Sequence, residues 1–158
     1  MMAATGLVPL ILYAILLTAA ASEDALRLRI SNITNVAILI LGVVTLMLNW
    51  DAGWWQHVLA FILALAFGIG LYAINWLGGG DAKFIAATGF AFNLKGLALF
   101  LVSTTLAGAV LAIFYLGSAL FRRHRKDENR RNLPYGLAIA CGAALTWFLS
   151  PETTLVGG

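Results

Sequence analysis

Long apolar runs separated by short polar breaks set the pattern of this chain. A bilayer core takes about 20 mostly apolar residues per helix, with a range of about 17–25. Residues 6–22, 33–50, 58–77, 97–121 and 133–149 reach or approach that length. A further run, 84–94, is shorter and is bracketed by Lys83 and Lys95. No Lys or Arg precedes the first run, so the basic opening of a secretory signal is missing and 6–22 reads as a true span. No internal repeat and no low-complexity linker interrupts the series.

The short run decides the topology. If 84–94 crosses, the loop 23–32 with Arg27 and Arg29, the turn 78–83 with Lys83, and the loop 122–132 all share one side. That last loop carries Arg122, Arg123, Arg125, Lys126, Arg130 and Arg131, so only Lys95 is left opposite. If it is re-entrant, the most basic loop falls opposite Arg27, Arg29 and Lys83. The positive-inside bias favours crossing. The pattern therefore predicts an all-α, polytopic integral membrane protein of about six transmembrane helices. It forms one membrane-embedded domain over residues 1–158, with both termini outside. A start near Gly79 or Gly80 would bring the short run to span length. Trp50, Trp54 and Trp55 then lie in an outer turn, where amphipathic indoles form an aromatic belt.

Composition agrees. Apolar residues make up 61% of the 158 and charged residues 11%, against about 25% charged in a soluble domain. Too little polar surface remains to coat a water-soluble globule, and disorder is excluded by the same hydrophobicity. One Cys, Cys141, excludes an internal disulfide framework and a CxxC zinc site. The formal charge of +3 is carried between the spans, with no basic face interleaved with aromatics, so no nucleic-acid partner is expected. The basic loop 122–132 reads as an anchor to anionic membrane lipid.

Seven acidic residues are few enough to weigh singly. Asp51 falls in the outer turn, Asp127 and Glu128 in the basic loop and Glu152 in the tail. Glu23 and Asp24 end the first span, and Asp81 opens the fourth helix on the same side. Asp24 and Asp81 thus stand at one depth at one membrane face. Two carboxyls brought close resist joint ionisation, so one pKa rises. One can then act as general base on a water while the other polarises a scissile carbonyl. Gly78, Gly79 and Gly80 would allow close backbone approach to Asp81. The plainer readings are that Asp81 caps a tight turn and that Asp24 is an interfacial charge.

These residues carry a resemblance. Asp24 to Asn32, with Arg27 and Arg29 and ending Ile-Ser-Asn, resembles the first aspartate motif of the type IV prepilin peptidases, where Ile-Pro-Asn is usual. Gly78-Gly79-Gly80-Asp81-Ala82-Lys83 resembles their GxGD motif with its trailing Lys. Residues 133–142, beginning Leu-Pro-Tyr-Gly, are similar to the family's late Pro-Tyr-Gly-Pro-Ala segment. Ser31 and Leu137 depart from the pattern, each standing where Pro is common. The resemblance implies an aspartic endopeptidase of the bacterial inner membrane. Its substrates would be prepilins and pseudopilins, each a short basic leader followed by a hydrophobic helix, and it would remove the leader after a Gly at the cytoplasmic face. Asp24 and Asp81 would be catalytic. Gly78, Gly79, Gly80, Lys83, Arg27 and Asn32 would shape the site, and no metal or cofactor would be needed. The chain looks like the short form associated with tight-adherence (Flp) pili, without the paired CxxC domain and its methyltransferase activity. Contact with pilus assembly machinery is a further expectation.

Other residues take structural readings. Lys83 snorkels, Arg27 and Arg29 set topology, and Asn32 and Asn35 cap the second helix. Asn75 bonds a neighbouring helix, Cys141 packs as a small apolar residue, and His57 and His124 lie too far apart to share a metal. Gly6, Gly42, Gly68, Gly70 and Gly108 permit close helix approach. Three alternatives stay open: a GxGD protease that cuts within substrate helices, a transporter with a proton or cation site at Asp24 and Asp81, and a membrane scaffold.

Overall fold

A computed structural model describes residues 2–27, 29–50, 53–121 and 135–155. The loop 122–132 with its basic residues and His124, the turn residue Asp51, and Pro134 lie outside the described residues. The described chain is all-helical: α1 (Met2–Arg27), α2 (Asn32–Leu48), α3 (Trp54–Ala73), α4 (Gly79–Gly89), α5 (Leu94–Phe121) and α6 (Tyr135–Leu149), closed by a 3-10 turn, Pro151–Thr153. Three helices carry apolar stretches long enough to cross a bilayer, over Leu7–Arg27, Trp54–Ala73 and Leu94–Gly117. The apolar helices α2 and α6 are shorter, at 17 and 15 residues. The chain is thus built as a polytopic membrane protein.

The short run 84–94 is not one helix. Helix α4 begins at Gly79, stops at Gly89, and gives way to a turn before α5. Its 11 residues span about 16 Å at about 1.5 Å each, half of a hydrocarbon core of about 30 Å. The turn carries the path onward. Asn93 N–H donates to Thr153 O at 2.8 Å, Leu155 N–H donates to Ala91 O at 2.9 Å, and Phe92 bridges Thr154. The start of α4 lies beside the α1–α2 connection, and its end lies beside the first turn of α3, where His57 Nδ1 is 3.2 Å from Phe90 O. Helix α4 with its turn therefore runs from one end of the bundle to the other.

Helix α4 is also the centre of the bundle. Every residue from Asp81 to Phe92 is buried except Lys83, as befits a helix enclosed on all sides. It packs on α2, α3 and α6, while α5 packs on α6 and α1 on both α2 and α6. Phe92 stacks on Phe100 with centroids 5.1 Å apart and meets Trp147, which meets Tyr13. The outside is where the large apolar side chains are: Leu7, Ile15, Ile40, Ile62, Val110 and Phe114 are all exposed. The interior is rich in Ala, Gly and Thr, the small residues that let membrane helices approach closely.

Two contacts set that approach. A Cβ on Gly68 would lie 2.9 Å from the backbone of Ala82, and one on Gly89 would lie 2.7 Å from the Cβ of Ala64. Both join α3 to α4. Gly42 serves the same purpose under Phe90 and Tyr13. Gly70 does not, because nothing lies within 4 Å of it. Cys141 is exposed on α6 rather than packed inside. Trp50 and Trp54 stack at 5.6 Å and, like Trp55, are exposed at the α2–α3 turn.

Gly68→Leu should destabilise the folded protein by about 1–3 kcal/mol through overpacking, read as a lower Tm in detergent. Gly70→Leu should leave Tm unchanged or slightly higher, since Leu favours helix over Gly.

Candidate active site

The end of α1 is tied to the start of α2 by a hydrogen-bonded clamp. Ser31 is the N-cap of α2, its Oγ accepting the Thr34 N–H at 3.1 Å. Glu23 Oε2 accepts the Ser31 N–H at 2.9 Å, and the Thr34 hydroxyl donates to Oε2 at 3.1 Å. An acidic group at a helix N-terminus is favourably placed. This corrects the expectation that Asn32 and Asn35 cap the helix. The φ of Ser31 is −69°, within the range to which a proline ring fixes φ. A Pro would fit that backbone, but it could neither donate to Glu23 nor cap Thr34. Hydrogen bonds here do the work of a ring.

The connection from α3 to α4 is built with equal economy. Asn75 has φ 58°, and its N–H donates to Tyr72 O while the Trp76 N–H donates to Leu71 O. That pair of bonds around a left-handed residue is a Schellman stop. Asn75 therefore ends α3 rather than bonding another helix. The chain turns to Gly78, the N-cap of α4, and Asp81 occupies the third position of the helix. Its Oδ2 accepts the Gly78 N–H at 3.3 Å.

The two aspartates meet at this end. Asp24 is 4% exposed and Asp81 is 9% exposed. Asp24 Oδ2 accepts the Gly136 N–H of α6 at 2.7 Å, a bond from one of the helix's free amides. Gly136 has to be glycine, since a Cβ there would lie 2.8 Å from the Cβ of Asp24 and 3.1 Å from Ile30 Cδ1. Ile30, itself buried, also backs onto the other aspartate's helix, its backbone within 3.5 Å of where a Cβ on Gly80 would stand. Ile30 is thus the spacer between the Asp24–Gly136 contact and the Gly80–Asp81 turn. Burial pushes the Asp81 carboxyl up to about 7; the charge of Asp24 adds to the rise, and the Gly78 N–H opposes it.

Of the residues singled out in sequence, Asp24 and Asp81 come together, with Gly78 and Gly80 beneath Asp81. Gly79 sits at the rim, in ordinary contact with Tyr72. Lys83 and Asn32 face each other there, Lys83 Nζ donating to Asn32 Oδ1 at 3.1 Å. Arg27 is exposed in the last turn of α1 and makes no hydrogen bond or ion pair among the described residues. Sequence reasoning missed Gly136, Ile30 and Glu23. It also missed Asn35, whose Nδ2 donates to Gly80 O at 3.3 Å. The run Pro-Tyr-Gly held the one available hint for Gly136. Among the described residues, no three His, Cys, Asp or Glu side chains cluster as metal ligands.

A family model of the type IV leader peptidases matches residues 11–113, about two thirds of the chain and both aspartates. The chain belongs to the type IV leader peptidase family. No curated protein and no solved structure matches it. Membership makes it a peptidase of a membrane-associated family that acts on prepilin-type leaders in general, and the geometry above shows where this leader peptidase brings two carboxyl groups together.

Gly136→Ala should displace Asp24 and lower peptidase activity by about 100-fold, the cost that a misplacement of about 1 Å carries in an active site. Ser31→Ala should cost about 1 kcal/mol of stability through the lost cap, and Glu23→Ala about 1–3 kcal/mol, because it leaves the Ser31 N–H without its acceptor; both are read as Tm shifts.

Proposed function

We propose that this leader peptidase is an aspartic endopeptidase that removes the basic leader from Flp-type prepilins and pseudopilins, cutting after a Gly at the cytoplasmic face of the inner membrane. The observation that carries this reading is the meeting of buried Asp24 and Asp81 from two separate helices. They lie at helix termini at one end of the bundle, which suits a bond presented at the membrane face better than an ion path through the midplane. Lys83 and the loop of Arg27 and Arg29 share that end, so the positive-inside bias assigns it to the cytoplasm, with both termini outside.

Near neutral pH the pair holds one proton between them. Asp81 carries that proton, because burial and, after it, the charge of Asp24 push its carboxyl up. Asp24, whose Oδ2 accepts from Gly136, is the base. A water between the carboxyls loses its proton to Asp24 as its oxygen attacks the carbonyl carbon of the leader's last Gly. Asp81 gives its proton to the carbonyl oxygen. The resulting diol collapses as Asp24 returns a proton to the departing amine nitrogen, and Asp81 regains its own from the diol hydroxyl. Leader and mature segment separate with both carboxyls restored. The chemistry uses no metal and no cofactor.

Co-expression with a Flp-type prepilin tests this by the gel shift of leader removal. Wild type should cleave, and Asp24→Asn and Asp81→Asn should each abolish cleavage at normal membrane abundance; an Asn variant cleaving at the wild-type rate would remove that residue from the mechanism. Activity should also fall as pH rises through about 7, where Asp81 loses its proton, with abundance unchanged across the range.

A further inference from the structure

Beside the dyad lies a groove that the cleavage chemistry does not use. It has a volume of about 310 Å³ and is formed by one stripe from each of three helices. Helix α2 contributes Asn32, Asn35, Val36 and Leu39, spaced as successive turns of one face. Helix α3 adds Phe61 and Leu65, and α4 adds Lys83, Ala86 and Ala87. The polar members lie near the starts of α2 and α4, at the dyad end, and the apolar members continue away from it. Asn35 links groove to dyad directly, through its bond to Gly80 O beside Asp81.

Asn35 is also left incomplete. It is 5% exposed, and its Oδ1 has no hydrogen-bond partner among the described residues. A buried acceptor without a donor is costly, and this one belongs to a side chain lining an open groove. The groove therefore suits a ligand that combines an apolar body with a free N–H at its dyad end. The start of an apolar helix has that composition: its first four main-chain N–H groups lack intrahelical partners, and Asn is among the best side chains at capping them. At a bilayer face those N–H groups are costly to leave unpaired.

We propose that the groove is the docking site for the substrate's apolar helix, with Asn35 Oδ1 capping the first main-chain N–H groups after the scissile bond. This rests on the leader-peptidase reading. Lys83 gives the site its direction. Among the described residues it is the one charged side chain lining the groove, with no carboxylate in that lining. It repels a basic leader and leaves the uncharged half of the substrate to enter. The leader is held outside, and the bond between the halves falls at Asp24 and Asp81.

The test uses the full chain in membranes with a Flp-type prepilin. Val36→Cys, on the groove, is paired with a prepilin carrying one Cys either early in its apolar helix or in its leader. Disulfide formation should occur with the helix Cys and not with the leader Cys. The groove-filling Leu39→Trp should raise KM with little change in kcat, and Asn35→Ala should raise KM about five- to tenfold, the size of one lost hydrogen bond. Ile40→Trp, on the exposed face of α2, should leave KM unchanged. The docking site is overturned if wild type cleaves while no helix cross-link forms and Leu39→Trp keeps the wild-type KM. It is equally overturned if Val36→Cys joins the leader, or if a groove-bound phospholipid is retained when substrate saturates the enzyme. Failure of wild type to cleave any prepilin would instead remove the leader-peptidase reading, and the docking site with it.

Discussion

Two carboxyl groups withdrawn from water at one end of a helical bundle are the constraint around which this structure is arranged. Buried carboxylates are expensive unless something compensates them. Here the compensation is backbone. Asp24 takes the Gly136 N–H at the start of α6, and Asp81 takes the Gly78 N–H at the start of α4. Each acid therefore sits on the N-terminal end of a helix, where amides are free and the dipole is favourable. Among the described residues neither has a cationic partner, and burial, with the charge of Asp24 adding to it, pushes the Asp81 carboxyl up to about 7.

The rest of the end-cap positions these two groups. Ile30 can separate the Asp24 contact from the Gly80 turn only if the α1–α2 connection is fixed. Glu23, Ser31 and Thr34 fix it by hydrogen bonds. On the other side, the left-handed Asn75 ends α3 so that the glycine turn can deliver Asp81. Further down, Gly68 against Ala82 and Gly89 against Ala64 keep α3 and α4 close, so the buried α4 cannot drift. An interior of small residues with large apolar ones outside follows from a solvent that gives helices no hydrophobic reason to associate.

Much of this was legible in the chain. The apolar runs gave the helices, and scarcity of acids made Asp24 and Asp81 conspicuous. Charge asymmetry predicted that the short fourth segment traverses; in the fold, α4 and its turn run along the bundle, but the helix starts before the apolar run and ends five residues inside it. What stayed hidden depends on contacts between distant residues. Gly136 is 112 positions from Asp24, and nothing local to Tyr-Gly-Leu announces an amide aimed at a carboxylate. Asn35 looked like a cap because it lies near a helix start; its real partner, Gly80 O, is 45 positions away. Gly70 looked like Gly68 because composition alone does not distinguish the face of α3 that meets α4 from the face that does not. Arg27 shares a motif with Asp24, but the helix turns it outward.

The coupling of the two carboxyls is the claim on which the account depends, and infrared titration of the carboxyl stretch on the full chain in bilayers measures it most directly. A protonated carboxyl should persist to about pH 7, disappear in Asp81→Asn, and titrate at lower pH in Asp24→Asn once the neighbouring charge is gone. A titration confined to the ordinary aspartate range near about 4, unchanged by Asp24→Asn, would show that the two groups do not share a site.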